Sequence, residues 1–483
     1  MAYIGDRLEV FAGTTPDRTA LACGPVRLSW LDLIETIGVA ETQIRRRTSF
    51  GARIALLLKN PAELIICFVA CARSGRIAVV LDPEWPEARK QATLDTISAG
   101  LLIDDARFSA FKSSAVTAPV DAGVAEDPAP GEDDLFYAGF TSGTSGTPKG
   151  YVRTHGSWLE SFALSEREFG ASGANRVVLA GQLNHSLHLY GAVCGLACGQ
   201  EVVLLPRFEP RAVLAELEGA SDGAVLYATP TQLHYLAEAA RRSGPVVAVA
   251  QVFSSGAKWG GEDRNALARV FPKAQLIEFY GASEASFITV ARPDESIPEG
   301  SVGRAASGVD ILIGNPDTPA PSGEPGPVWV RSAMLFSGYI CGASPLTRWQ
   351  DGWLTFGDHG YLDADGFLFL TGRENRMIVT SGLNVYPEEI EAALCAHPAV
   401  AVAVVVGLSD RARGERLEAA VQLSSDLPEA EAFLQKHCKA LLGTGKVPRR
   451  IKVVDRLPLT AGGKPDIQRI TSDLSKEACK EGM

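Results

Sequence analysis

One stretch, LFYAGF followed by TSGTSGTPKG at residues 135–150, restricts the possible folds of this chain more than any other. An apolar strand runs straight into a loop of five hydroxyl residues (Thr141, Ser142, Thr144, Ser145 and Thr147), with Gly143, Gly146 and Gly150 between them and Pro148 and Lys149 closing it. Glycines let backbone approach a polyanion closely, N–H groups and hydroxyls can surround phosphate oxygens, and Lys149 adds a positive charge. A solvated turn would explain a generic Gly/Ser loop, but this enrichment directly after a buried strand points to phosphate binding. A helix is expected straight after the loop. Walker spacing would need glycine where Pro148 stands, and the Rossmann G-x-G-x-x-G spacing also fails. A kinase or P-loop NTPase is therefore disfavoured, and ADP as product would be its signature.

Around this loop, short apolar strands alternate with amphipathic helical patterns. Ala52–Leu58, Ile77–Leu81, Val202–Pro206 and Ala224–Pro230 read as buried strands, and RAVLAELEG between two of them as a helix. Such alternation predicts parallel α/β layers. The last hundred or so residues read differently: a strand in RMIVTSG, a proline-started helix PEEIEAALCAHP, strands at Ala399–Leu408, in RLEAAVQL and in RIKVVDRL, and a helix in PEAEAFLQKHCKALL. The expected fold class is thus α/β, with a large N-terminal domain of layered α/β subdomains at 1–374 and a small mobile α+β C-terminal domain at 375–483.

Composition narrows the partners. Forty-six Lys and Arg against 57 Asp and Glu leave a net charge of −11, the wrong sign for a nucleic-acid polymer. Cys194 and Cys198 have neither a second cysteine pair nor a histidine pair at zinc-finger spacing, so buried thiols are expected rather than zinc. The apolar runs Leu64–Ala72 and Ala399–Leu408 are far shorter than the ~20 residues of a spanning helix. No membrane span is expected. An odd cysteine count and an N-terminus, MAYIGDRLEV, without an apolar leader predict a cytoplasmic protein.

TSGTSGTPKG closely resembles the phosphate-binding signature of the adenylate-forming (ANL) superfamily, which includes acyl-CoA synthetases, peptide-synthetase adenylation domains and firefly luciferase. Thr154 and His155 in YVRTH fit as well, and further motifs match in order along nearly the whole chain. EFYGASEAS (Glu278–Ser286) resembles the adenine-binding strand and turn. The resemblance implies that Tyr280 stacks on the base, with Glu278, Gly256 and Ala257 along its edge and Gly281 and Ser283 in the turn. It also implies that Glu284 holds Mg2+ against the nucleotide phosphates. Thr is usual where Ser283 stands, and the hydroxyl is kept.

In DGWLTFGDHGYLDADGFLFLTGRENRMIVTSG, Asp358 resembles the aspartate that accepts from the ribose hydroxyls, and Arg373 the arginine that helps hold ribose or phosphate. Asn375 occupies the family's hinge, where Asp or Lys is usual, and Gly382 resembles the glycine beside the pantetheine tunnel. In LPLTAGGKPD, Lys464 resembles the lysine that contacts the acyl carboxylate and α-phosphate; the arginine often found three residues later is Ile467 here. With Glu284 and Thr144 it makes up the implied catalytic set. GQLNHSLHLYGAVCG sits where relatives carry a histidine lining the acyl cavity; His185 is the candidate, with His188 close by and Ala282 also in the pocket. No aspartate stands ready for an α-amino group.

The resemblance implies an AMP-forming acid–thiol ligase: a small carboxylic acid is activated with ATP and Mg2+ and passed to coenzyme A, with a place in fatty acid metabolism. Delivery to the phosphopantetheine arm of a carrier protein is the alternative, and a non-catalytic nucleotide-binding relative a more distant one. Monomer and homodimer are both open.

Overall fold

The computed structural model describes residues 2–114, 127–141, 149–220, 223–241, 244–256, 261–292, 295–380, 383–410, 414–459 and 465–481. The chain divides into two compact units, Met1–Ile311 with Val330–Pro345, and Leu312–Trp329 with Leu346–Met483. The division at Asn375 expected above falls inside the second of these.

The first unit is built on two sheets. One runs in the order Gly338–Cys341, Lys149–Thr154, Leu135–Thr141, Ile77–Val80, Arg53–Leu57, Leu101–Asp104. Its last four strands are parallel and joined by helices, as their near-continuous apolar sequences require when both faces are covered. The crossover helix Pro61–Arg73 starts with Asn60 accepting from the Ala62 N–H and Pro61 in the first turn. Leu64–Ala72, too short to span a membrane, is buried almost all round within it. Among the described residues no helix is long and apolar enough to cross a membrane.

The second sheet of this unit has a parallel centre. Gln275–Ala282, Val249–Ser254, Ala224–Tyr227, Arg176–Leu179, Glu201–Leu204 and Thr19–Cys23 lie side by side in that order. Antiparallel strands Val26–Ser29 and Ser286–Ala291 flank them. Val178, Leu226, Val252, Leu214 and Leu236 share one fully buried cluster between this sheet and its helices. Each such side chain contributes about 1.5–3 kcal/mol by leaving water.

The hydroxyl-rich loop departs from the sequence expectation in one respect. Its far end enters a strand, Lys149–Thr154, that returns antiparallel along Leu135–Thr141 with Thr141 opposite Lys149; the helix begins only at His155. YVRT is largely β-branched and aromatic, and all four of Gly150, Tyr151, Val152 and Arg153 are buried, so tertiary packing between two neighbouring strands overrides the loop-to-helix pattern.

In the second unit, Asp358–Leu362 and Phe367–Arg373 form a hairpin. A five-stranded sheet follows, ordered Leu383–Val385, Ile378–Thr380, Gly414–Leu423, Val400–Asp410, with Arg450–Val454 parallel to Gly414–Leu423. Helices Pro387–Cys395 and Ala430–Leu442 pack through Ile390, Leu394 and Leu434 onto Val405 and Val421. These elements follow the sequence reading closely. A final helix, Ile467–Glu481, has no counterpart in it.

Candidate active site

The candidate residues of the first unit gather where an open α/β sheet places ligands, just beyond the carboxyl ends of its parallel strands. Gly256 follows Ser254, His185 follows Leu179 by a short loop, and the Gly281–Ser286 turn ends Gln275–Ala282. Ser254 and Glu278 are register partners, so Gly256 and the adenine-strand residues emerge from neighbouring strands. Gly256 sits at φ +98°, a left-handed conformation with open space where a Cβ would be. Glu278 is buried and takes an ion pair from Arg264 at 3.0 Å; Tyr280 is half-buried.

The turn after that strand is tightly constrained. A Cβ on Gly281 would lie 1.9 Å from the Ser286 carbonyl oxygen, so only glycine lets the two ends approach. Ser286 is held at φ +57°, rare for a non-glycine residue. Glu284 is buried between them, its carbonyl accepting from the Phe336 N–H at 2.7 Å and its Oε1 accepting from the Tyr339 hydroxyl at 3.1 Å. Tyr339 belongs to Gly338–Cys341, which pairs with the strand leaving the phosphate loop, Tyr339 opposite Tyr151. That strand and its neighbour hold two buried tyrosine hydroxyls, Tyr137 and Tyr151, 2.8 Å apart. A side chain at Gly139 would strike both, at 2.2 and 2.4 Å.

Of the loop itself, Thr141 and Lys149 are half-buried at its two ends. Ser142, Gly143, Thr144, Ser145, Gly146 and Thr147 lie outside the described residues, as do Ala257, Gly382 and Lys464.

The acyl-cavity segment meets the turn through one contact, Ser186 Oγ to Ser283 Oγ at 2.9 Å. His185 is exposed at the start of the helix Ser186–Ala197, and Ala282 is half-buried. His188, one turn in, is fully buried with its ring filling the space a Cβ on Gly181 would need. Burial, reinforced by His185 nearby, pushes its imidazole down to about 3 against a weaker opposite pull from Gln232, so the ring is neutral.

In the second unit Asp358 and Arg373 are register partners in the hairpin, and Arg373 Nε donates to Asp358 Oδ1 at 2.7 Å. Asp358 is buried while the Arg373 side chain is 62% exposed. An ion pair with one partner in water contributes little to stability. Asn375 is exposed in the short turn Glu374–Arg376, with strong anchors on either side. Arg348 grips Glu374 through two bonds of 3.1 and 2.9 Å, and Arg376 binds Glu388 and Glu391. The Arg348 bonds hold the Glu374 carboxyl below its ordinary range.

Arg153 and Tyr339, which touch the Glu284 turn, escape the sequence reading. For Arg153 the sequence offers only a lone charge beside apolar Tyr151 and Val152, with no sign of what satisfies it.

A buried carboxylate turn beyond the ends of parallel strands, joined through Tyr339 to the strand Lys149–Thr154, frames the candidate site. The family model described as AMP-binding enzyme matches residues 8–340, and that of the AMP-binding enzyme C-terminal domain matches 389–464. The chain belongs to the AMP-binding enzyme family, as an adenylate-forming acyl-CoA synthetase. It is 36% identical over 465 residues to an uncharacterized acyl-CoA ligase of Bacillus subtilis, covering 94% of each chain. It is 30% identical to a 2-succinylbenzoate–CoA ligase of Bacillus licheniformis, covering 95% of this chain and 97% of that one. Among solved structures, o-succinylbenzoate CoA synthetase of B. subtilis in complex with its acyl-adenylate superposes with a TM-score of 0.83 at 26% identity, over 96% of this chain and 97% of that one.

Proposed function

We propose that the protein couples a small carboxylic acid to coenzyme A in two half-reactions at the site described. A carboxylate oxygen attacks the α-phosphorus of ATP, the bond to the bridging oxygen breaks, and pyrophosphate leaves with the electron pair. The coenzyme A thiol then loses its proton to solvent and attacks the acyl carbon, releasing AMP. The observation that carries this reading is the buried Glu284 turn, held by Tyr339 beside the strand that leaves the phosphate loop.

Within it, Lys149 and the Thr141–Thr147 hydroxyls and amides cradle the phosphates, Tyr280 stacks on adenine, and Glu278, Gly256 and Ala257 line its edge. Asp358 accepts from the ribose hydroxyls with Arg373 beside it, and Lys464 meets the charge developing at the α-phosphate. The residues fit Mg2+: Glu284 offers a buried carboxylate, and Mg2+ typically takes one or two carboxylates plus substrate phosphates and waters. Glu284 would hold it, supplying charge neutralisation at the phosphates. The segment from Asn375 onward acts as a lid turning at that residue, with Gly382 beside the pantetheine arm and His185 and Ala282 in the acyl cavity. A cytosolic setting, with its ATP and coenzyme A, fits this chemistry.

Acid-dependent ATP–pyrophosphate exchange tests the reading, on a panel of short-, medium- and long-chain and aromatic acids that includes 2-succinylbenzoate, the acid in a relative's name. Exchange with no acid of the panel would overturn it. AMP release with free coenzyme A, compared with a holo-carrier protein, separates the two acceptors.

Asp358 gives a sharper test. Asp358→Asn should raise KM for ATP about tenfold, the loss expected for a charge-assisted hydrogen bond, with KM for the acid unchanged. An unchanged KM would remove Asp358 from the ribose site.

A further inference from the structure

Arg153 stands four residues beyond Lys149 on the strand leaving the phosphate loop, and it is 1% exposed. It makes no ion pair with a carboxylate among the described residues. Taking a guanidinium out of water without such a partner costs several kcal/mol unless its donors are satisfied. Here carbonyls and hydroxyls accept from all three of its nitrogens and take four of its five N–H groups. Nε donates to Ser157 Oγ at 3.1 Å, Nη1 to the Ser283 carbonyl at 2.8 Å, and Nη2 to Ser286 Oγ at 2.9 Å and the Met334 carbonyl at 2.7 Å. Burial pulls its pKa down to about 10, which leaves it protonated at neutral pH.

Three of those four acceptors converge on Glu284. Ser283 and Ser286 bracket it in sequence, and Ser286 is the residue held at φ +57°. Met334 leads into the segment that supplies the other two contacts, the Phe336 N–H on the Glu284 carbonyl and the Tyr339 hydroxyl on its carboxylate. One rigid planar fork therefore fixes both flanks of the turn and the base of the segment that touches Glu284. A lysine carries the same charge but offers a single nitrogen and no fork.

We propose that Arg153 is a positioning residue: it sets the Glu284 carboxylate at a fixed place relative to the phosphate loop on its own strand, without touching substrate. This rests on the role of Glu284 toward Mg2+ proposed above. Loss of the fork should loosen Glu284 and weaken the Mg2+-dependent step more than any other.

The test is ATP–pyrophosphate exchange as a function of free Mg2+, with the acid saturating, for Arg153→Lys, Ser286→Gly, Glu284→Gln and the double variant Arg153→Lys/Glu284→Gln. Ser286→Gly deletes one acceptor and relieves the left-handed strain, so it keeps the test decisive if Arg153→Lys does not fold. Arg153→Lys should raise the half-saturating Mg2+ concentration about tenfold and Ser286→Gly about threefold, with KM for the acid unchanged. In the double variant the two effects should not multiply, since both act through one carboxylate. If Glu284→Gln shifts the Mg2+ curve but Arg153→Lys and Ser286→Gly only lower its plateau, the positioning role is overturned and Arg153 merely supports the fold. If Glu284→Gln leaves the curve where it was, the reading of Glu284 itself fails.

Discussion

Lys464→Ala is expected to slow adenylation by about 10²–10³-fold, the usual loss when one preorganised donor is removed from a site of developing negative charge. As the acid's carboxylate displaces pyrophosphate, charge builds on oxygens around the α-phosphorus, and a cation fixed there lowers the barrier without being needed for binding. Lys464 lies outside the described residues, while the described residues on either side of it pair with one another. Leu459 and Pro465 form an antiparallel bridge, and the Asp466 N–H donates to the Pro458 carbonyl at 2.9 Å. The helix Ile467–Glu481 begins immediately after. The measurement is ATP–pyrophosphate exchange beside thioester formation from supplied acyl-adenylate. The first should collapse and the second stay within a few fold, since no charge then develops at phosphorus against Lys464. Wild-type exchange in the variant would take Lys464 out of the chemistry.

Acidification should cost the protein several kcal/mol of stability before most of its carboxylates titrate, because two buried histidines cannot accept protons while folded. His155 is fully buried, its ring stacked on Phe136 with centroids 4.7 Å apart and its Nδ1 accepting from the Ile4 N–H at 3.0 Å. Burial pushes its pKa down to about 4, against a smaller upward pull from Asp134. His188 is held down to about 3 by burial. Both depressed values lie below an unfolded histidine near 6.5, so between those limits the unfolded chain binds protons that the folded chain refuses. The stabilisation is complete above about pH 6.5 and is lost as pH falls toward 4, then 3. His155 alone accounts for about 3 kcal/mol over that fall, and His188 for a comparable amount. Half-buried His359 is lowered as well and adds to the same decline. Glu374, already held below its ordinary range by Arg348, loses its share only further down, so the decline between pH 6.5 and 4.5 belongs to the histidines. Urea midpoints at pH 7.5, 6 and 5 should drop steadily for wild type and much less for His155→Gln/His188→Gln. A flat wild-type profile would contradict the assignment.

Much of this architecture is legible in advance because the residues involved act locally. Ile77–Val80 and Ala224–Tyr227 are unbroken apolar runs that can be little else than buried strands, and Pro387 with Glu388 and Glu389 announces a helix start. The hairpin return through Lys149–Thr154 is hidden, since a strand forms there only because Leu135–Thr141 and Gly338–Cys341 lie on either side. Arg153 is hidden for the same reason: its acceptors at Ser283, Ser286 and Met334 are scattered far along the chain, and nothing near Arg153 names them. Tyr339 likewise becomes a partner of Glu284 only through strand pairing.

That late strand has a consequence for how the molecule is made. Gly338–Cys341 is the edge of a sheet whose other five strands all lie within residues 53–154, and it brings Tyr339 to Glu284. A ribosome therefore completes the phosphate-loop hairpin long before it makes the tyrosine that steadies the carboxylate. During synthesis the hairpin's outer edge stays unpaired, a template for wrong pairing between nascent chains. The half-made enzyme can fold much of its sheet, yet it cannot assemble the Glu284 turn until the ribosome has passed Cys341.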